Sequence, residues 1–196
     1  MHAQKRGHRT ALLVHQLARV RNVCRLDILP GLKAGDSYGA QTWHGATPEA
    51  GCDDALVGIG QRGYLALEFT REAPNALAAF RTALADVKSA IPDATLVEAA
   101  PDFVGLSDVA DLIGVTRQNM RKLMLSHPDT FPPAVHGGST LIWHLDDVLD
   151  WLSARGRYPV AQATLETARL VRQWNLAREA RHLRPDLAQT FDTDLA

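Results

Sequence analysis

The side chains with the clearest chemical use lie in one short run, Thr116-Arg117-Gln118-Asn119-Met120-Arg121-Lys122. Gln and Asn amides bond adenine bidentately, and Arg bonds guanine. A Thr hydroxyl and an Arg guanidinium at a helix start suit phosphate oxygens. With Met120 and Leu123 facing inward, a step of about 100° per residue turns Gln118 and Lys122 most directly outward, flanked by Asn119 and Arg121. Further on, His136, Ser139 and Thr140 lie beside Gly137-Gly138, and are small or polar enough to approach a DNA backbone.

Other chemistries find less support. Gly58-Ile59-Gly60-Gln61-Arg62-Gly63 matches the dinucleotide fingerprint G-x-G-x-x-G. Such a fingerprint must open a helix, whereas the residues after Gly63 alternate as a strand and the next helix begins only near Pro74. The segment therefore reads as a hairpin turn, and no cofactor is expected. None of the eight histidines stands in an H-x-x-x-H or C-x-x-C arrangement, the nearest trio being His127, His136 and His144, so no metal is expected. No Ser, Cys or carboxylate pair has a nucleophile context such as G-x-S-x-G, so the chain does not read as an enzyme. Cys24 and Cys52 are too few for a zinc site or a secreted disulfide framework, which points to a reducing cytoplasm.

The elements around the polar run are short helices. Ser107 is placed to cap a helix carrying Val109, Ala110, Leu112 and Ile113; Gly114 breaks it, and Thr116 caps the next. Two helices across one tight glycine turn form a helix-turn-helix pattern. Ala134 to Trp143 reads as two short strands around Gly137-Gly138, a hairpin or wing. A third helix follows, with Leu145, Val148, Leu149 and Leu152 on one face, Asp146 and Asp147 in its first turn, and Gly156 at its end.

Residues 104–156 resemble the winged helix-turn-helix modules of the MerR, excisionase and prophage-regulator AlpA type. The resemblance is carried by Leu106 through Leu123, by Phe131-Pro132-Pro133-Ala134-Val135, and by Trp143 with Asp147-Val148 and Trp151. It implies DNA binding, with the second helix in the major groove and the wing on flanking backbone or minor groove. One property opposes it. The chain is near neutral, with a formal net charge of −1, but residues 102–156 hold four Lys and Arg against seven Asp, where DNA-binding domains usually present a basic surface. The acids Asp108, Asp111, Asp146, Asp147 and Asp150 fall on the other two helices, which leaves Arg117, Arg121 and Lys122 grouped on one.

The chain of 196 residues, 46% hydrophobic and 22% charged, has room for one large or two small domains, and no apolar run long enough for a membrane span. Residues 1–22 are basic and free of acids, with Lys5, Arg6, Arg9, Arg19 and Arg21; a nucleic-acid-binding arm, a transit-like sequence and a floppy extension all fit. Residues 23–101 read as a strand over Val23–Leu29, a Gly/Pro-rich loop over 30–51, and strands at Ala55–Ile59 and Tyr64–Thr70. A helix follows with Pro74 in its first turn and Leu77, Phe80, Leu84, Val87 and Ile91 along its stripe, then a strand at Thr95–Glu98. This is a small α+β unit like a ferredoxin-type fold lacking its first helix, and it resembles the domain found ahead of such modules in uncharacterised bacterial DNA-binding proteins. Residues 157–196 read as a helix from about Val160 to Leu183, then a frayed tail. Its stripe of Leu165, Ala168, Val171 and Trp174 can pair with a second chain as a homodimer or fold back near Trp151; pairing is the expectation adopted.

The combined expectation is an α+β protein that binds double-stranded DNA as a bacterial or phage-derived transcriptional regulator. An excisionase-like architectural factor and a protein-interaction adaptor or antitoxin are the alternatives.

Overall fold

The computed structural model describes residues 20–29, 51–58 and 64–194. The basic stretch before Val20, most of the Gly/Pro-rich loop and residues 59–63 of the glycine motif lie outside them. The architecture is mixed α and β, with two antiparallel sheets.

The first sheet is built by alternation. In β1 (Val20–Leu29) Cys24, Leu26 and Ile28 are buried while Val23 and Arg25 are exposed, the pattern of a strand with one face on a core. β2 (Ala55–Gly58), β3 (Leu65–Ala73) and β4 (Thr95–Ala100) complete it in the order β2-β3-β1-β4, every neighbour antiparallel. The register places Leu26 opposite Leu67 on one side and Ala99 on the other, and Cys24 opposite Phe69. Gly58 pairs with Ala66 across β2 and β3, so the glycine motif joins two antiparallel strands, and the next helix begins only at Ala76.

Helix α1 (Ala76–Ala90) covers the buried face. Its cap is Asn75, whose side chain accepts the Ala78 N–H at 2.8 Å; Pro74 lies one residue outside rather than in the first turn, because Asn supplies the acceptor that a first turn needs. The stripe is also rotated. Ala76, Ala79, Phe80, Ala83 and Val87 are buried, while Leu77 is 50% exposed. Three alanines let the helix approach the sheet closely, so the bulkiest side chains do not define its inner edge. Arg71 staples this layer. It donates to Asp54 Oδ1 and Oδ2 at 2.6 and 2.7 Å, to Asp86 at 2.6 Å and to the Gly51 carbonyl at 3.0 Å, and its hydrogen bonds to Asp54, foremost, raise its pKa. Cys24 and Cys52 are free and buried, and burial pushes both thiols up to about 11, leaving them protonated and poor nucleophiles.

The second unit begins with β5 (Phe103–Val104), a strand too short for sequence periodicity to reveal. α2 (Leu106–Ile113) and α3 (Arg117–Leu125) follow, then β6 (His136–Gly137), β7 (Leu141–His144) and α4 (Leu145–Ala154). The strands form a sheet in the order β5-β7-β6. Val109, Ala110, Met120, Trp143, Val148 and Leu149 are among its core residues.

Helix α5 (Gln162–Glu179) closes both units. Leu165 and Ala168 join the core of the second unit, while Val171 and Trp174 join that of the sheet, with Trp174 5.8 Å from the Phe80 ring centre. The expected homodimer stripe is therefore consumed within the chain, since these side chains already cover two apolar surfaces. A 3-10 turn (Ala180–His182) leads to α6 (Pro185–Asp194), where a frayed tail was expected. Pro185 in the first turn and Asp186 beside it are residues that start helices. Among the described residues no helix is long and apolar enough to cross a membrane.

Candidate nucleic-acid interface

The helix pair is set by backbone chemistry at two residues. Gly114 ends α2 at φ +72°, a left-handed conformation that glycine adopts without a Cβ penalty. The Val115 N–H then donates to the Ala110 carbonyl at 2.9 Å, and Thr116 caps α3 by accepting the Asn119 N–H at 3.1 Å. Only Gly114, Val115 and Thr116 separate the helices. At the other end of α2 the cap is Gly105, not Ser107. Asp108 reaches back to accept the Gly105 N–H at 2.7 Å, which starts the helix two residues before Ser107 could.

Met120 is buried without remainder and Leu123 packs against the same core, so the remaining faces of α3 point out. Thr116, Arg117, Gln118, Asn119, Arg121 and Lys122 are all exposed. Two of them turn sideways: Arg117 and Arg121, one helical turn apart, line a groove of about 480 Å³ with Ser139, Thr140 and Asp108. Gln118, Asn119 and Lys122 do not line it. Arg121 thus shares the β6–β7 hairpin side with Arg117, and Asn119 falls on the opposite flank. Arg117, Arg121 and Lys122 make no ion pair among the described residues. His136 is exposed at the start of β6, its ring close over Gly138, where an added Cβ would lie 2.8 Å from Nε2.

The three sequence blocks that carry the resemblance meet in space. Phe131 packs edge-on against Trp143 at 5.9 Å and against Trp151 at 4.9 Å between ring centres, and the Trp143 Nε1–H donates to the Pro132 carbonyl at 3.0 Å. Arg155 is drawn into this cluster, 3.9 Å over the Trp151 ring, so it is not available at the α3 face.

The acids that made the module negative are largely engaged. Arg172 of α5 bonds Asp146 and Asp147, each at 2.8 Å, and Arg169 bonds Asp150 at 2.6 Å. Asp102 is buried and accepts from Asn175 at 2.9 Å. Its Oδ1 lies 2.6 Å from His144 Nδ1, and with a carboxylate there it is Nδ1 that carries the proton. The histidine trio is dispersed: His127 Nδ1 bonds the Leu123 carbonyl, His144 bonds Asp102, and His136 lies exposed on β6. Among the described residues no group of three or more His, Cys, Asp or Glu is placed to hold a metal ion.

No family model, curated protein or solved structure matches the chain.

Sequence reasoning put the polar residues of α3 on its exposed face but missed Arg169 and Arg172, which answer Asp146, Asp147 and Asp150 from the next helix. The matching i, i+3 spacing of the two sets was a usable signal. Nothing local marked Asp102, His144 and Asn175 as partners, since they lie 42 and 73 residues apart.

Proposed function

We propose that residues 103–156 form a winged helix-turn-helix that binds double-stranded DNA sequence-specifically, in a transcriptional regulator of the MerR, excisionase and AlpA type. The first sheet, in the order β2-β3-β1-β4, reads as a ferredoxin-like unit that carries the module. The observation supporting DNA binding is the groove lined by Arg117 and Arg121, which make no ion pair among the described residues, together with Ser139 and Thr140. Two cations and two neutral donors in one groove suit the oxygens of a phosphate backbone. Gln118 and Lys122, on the outermost face of α3, are the base readers, and Asn119 and His136 contact the two flanks. Thr116, with its hydroxyl oxygen already accepting from Asn119, keeps its O–H to donate to a phosphate.

Selection of bound sequences from a random DNA pool, followed by titration of the selected site, tests this. Arg117→Ala and Arg121→Ala each weaken binding to all sequences and reduce the slope of log K against log salt by about 1. Gln118→Ala relaxes preference at one or two base positions instead. An unselected pool, or wild-type affinity in the double arginine variant, refutes the reading.

A further inference from the structure

At the C-terminal end of α5 lies a second concave site, which shares no residue with the α3–wing groove. It is a cavity of about 500 Å³ between the end of α1, the start of β4 and the 3-10 turn, within the size range of small-molecule sites. Four basic side chains line it, Lys88, Arg178, Arg181 and His182, and no acid does. Lys88, Arg181 and His182 make no ion pair or side-chain hydrogen bond among the described residues. Arg178 pairs with Glu179.

Lys88 and Arg178 stand in the last turns of α1 and α5, where a helix dipole favours a cation. The dipoles account for each of those two separately. They do not account for Arg181 and His182 joining them, which brings four basic side chains to one hollow. The rest of the lining is apolar: Trp174, tilted against Phe80, with Leu84, Leu96 and Ala94 beside it. A flat indole next to a cationic rim suits a ligand with a ring at one end and negative charge at the other.

We infer that this cavity binds a small organic anion, an aromatic or heteroaromatic ring carrying a phosphate or carboxylate group. Neither the cavity nor its cations depend on how α3 and the wing are read. Calorimetry on the full chain with AMP and with salicylate tests it and separates the two kinds of anion. Adenosine and phenol serve as rings without the charge, and inorganic phosphate as charge without the ring. The expected result is saturable one-to-one binding of AMP or salicylate, at least ten-fold tighter than the partial probes and weakened by salt. Lys88→Glu and Arg181→Glu, both at exposed positions, each reduce that affinity about ten-fold, and Arg181→Ala replaces either variant that fails to fold. Trp174→Phe removes the ligand-induced fluorescence change. Failure of both anions to bind at about 1 mM, or wild-type affinity in the folded charge variants, overturns the proposal. So does a loss of DNA affinity in those variants with no small anion bound, which would make the cluster a contact to DNA phosphates.

Discussion

Replacement of Asn175 by alanine isolates the joint between the two units. Asn175 is 6% exposed. Its Oδ1 accepts the Ala99 N–H at 3.0 Å, and its Nδ2 donates to the Ala99 carbonyl at 2.8 Å and to Asp102 Oδ2 at 2.9 Å. Those bonds cap the free edge of β4 and anchor the carboxylate that holds His144 of β7. The alanine variant leaves one buried donor and two buried acceptors each short of a partner. A buried polar group stranded this way costs about 1–3 kcal/mol. A cavity of about 300 Å³ touches both Asn175 and Asp102, so water can reach the carboxylate and lower its share. With the carboxylate's share set aside, the two backbone groups sum to about 2–6 kcal/mol, a large part of the roughly 5–15 kcal/mol that holds a domain together. With a urea slope of about 2 kcal/mol/M, the unfolding midpoint falls by about 1–3 M.

The assay is equilibrium urea unfolding followed by far-ultraviolet circular dichroism and by tryptophan fluorescence. Asn175→Asp sharpens it. It keeps the acceptor for the Ala99 N–H but sets a second carboxylate against Asp102 and against a carbonyl oxygen. It is therefore at least as unstable as the alanine variant at pH 7, and recovers as acid protonates one carboxyl. A midpoint shift below about 0.3 M for Asn175→Ala, or wild-type stability of Asn175→Asp at pH 7, refutes the assignment of Asn175 as the bond between the units.

Gly114→Ala costs about 1–2 kcal/mol in the same assay, because the residue stands at φ +72° while an added Cβ meets nothing within 4 Å; a near-zero cost contradicts the left-handed turn. Arg172→Ala costs about 1–3 kcal/mol, since it removes the cation from the mostly buried Asp146, whereas Arg169→Ala, whose pair is half exposed, costs under about 1 kcal/mol; equal effects contradict the difference in burial. Burial, foremost, and then Asp27 push the Glu98 carboxyl above its ordinary range. The folded chain holds that proton more tightly than the unfolded one, so stability falls as pH rises from the ordinary carboxylate range through the folded value. Glu98→Gln accordingly stabilises at pH 7, and the gain vanishes near pH 3; an equal gain at both pH values contradicts it. Deleting residues 157–196 uncovers both cores, giving a chain that binds hydrophobic dye and lacks a sharp thermal transition; a truncated protein with native near-ultraviolet dichroism refutes the role given to α5.

What was legible in the sequence follows from the range of the forces involved. The strands announced themselves because Cys24, Leu26 and Ile28 alternate with Val23, Arg25 and Asp27, a pattern that needs only a core on one side. Gly114 and Thr116 were legible because turn and cap bonds join residues within three or four positions. The inner face of α1 was misplaced because alanines at 76, 79 and 83 contribute close approach rather than bulk, and a stripe read from large side chains passes over them. β5 has two residues, too few to show any period, and exists because β7 offers it an edge. The Arg117 and Arg121 side of α3 could be derived as a flank, but which flank met the β6–β7 hairpin depended on where that hairpin returned.

The charge of a segment was the least readable property, and the reason bears on the candidate interface. Residues 102–156 are acidic when counted along the chain, yet Asp146, Asp147 and Asp150 meet Arg172 and Arg169 of α5, and Asp102 is withdrawn into the joint with His144 and Asn175. What α3 offers to solvent is then set by Arg117, Arg121 and Lys122, against Asp108 in the groove, whose carboxylate is already bonded to the Gly105 N–H. α5 accomplishes this because its two ends face different partners. Leu165 and Ala168, with Arg169 and Arg172, belong to the second unit; Val171, Trp174 and Asn175 belong to the sheet or to its edge. Its apolar stripe looked loose for the same reason, since one helix serves two cores in succession. A surface of either sign on the module is thus a property of the whole chain, and removing α5 would return the acids to solvent as surely as it would open the cores.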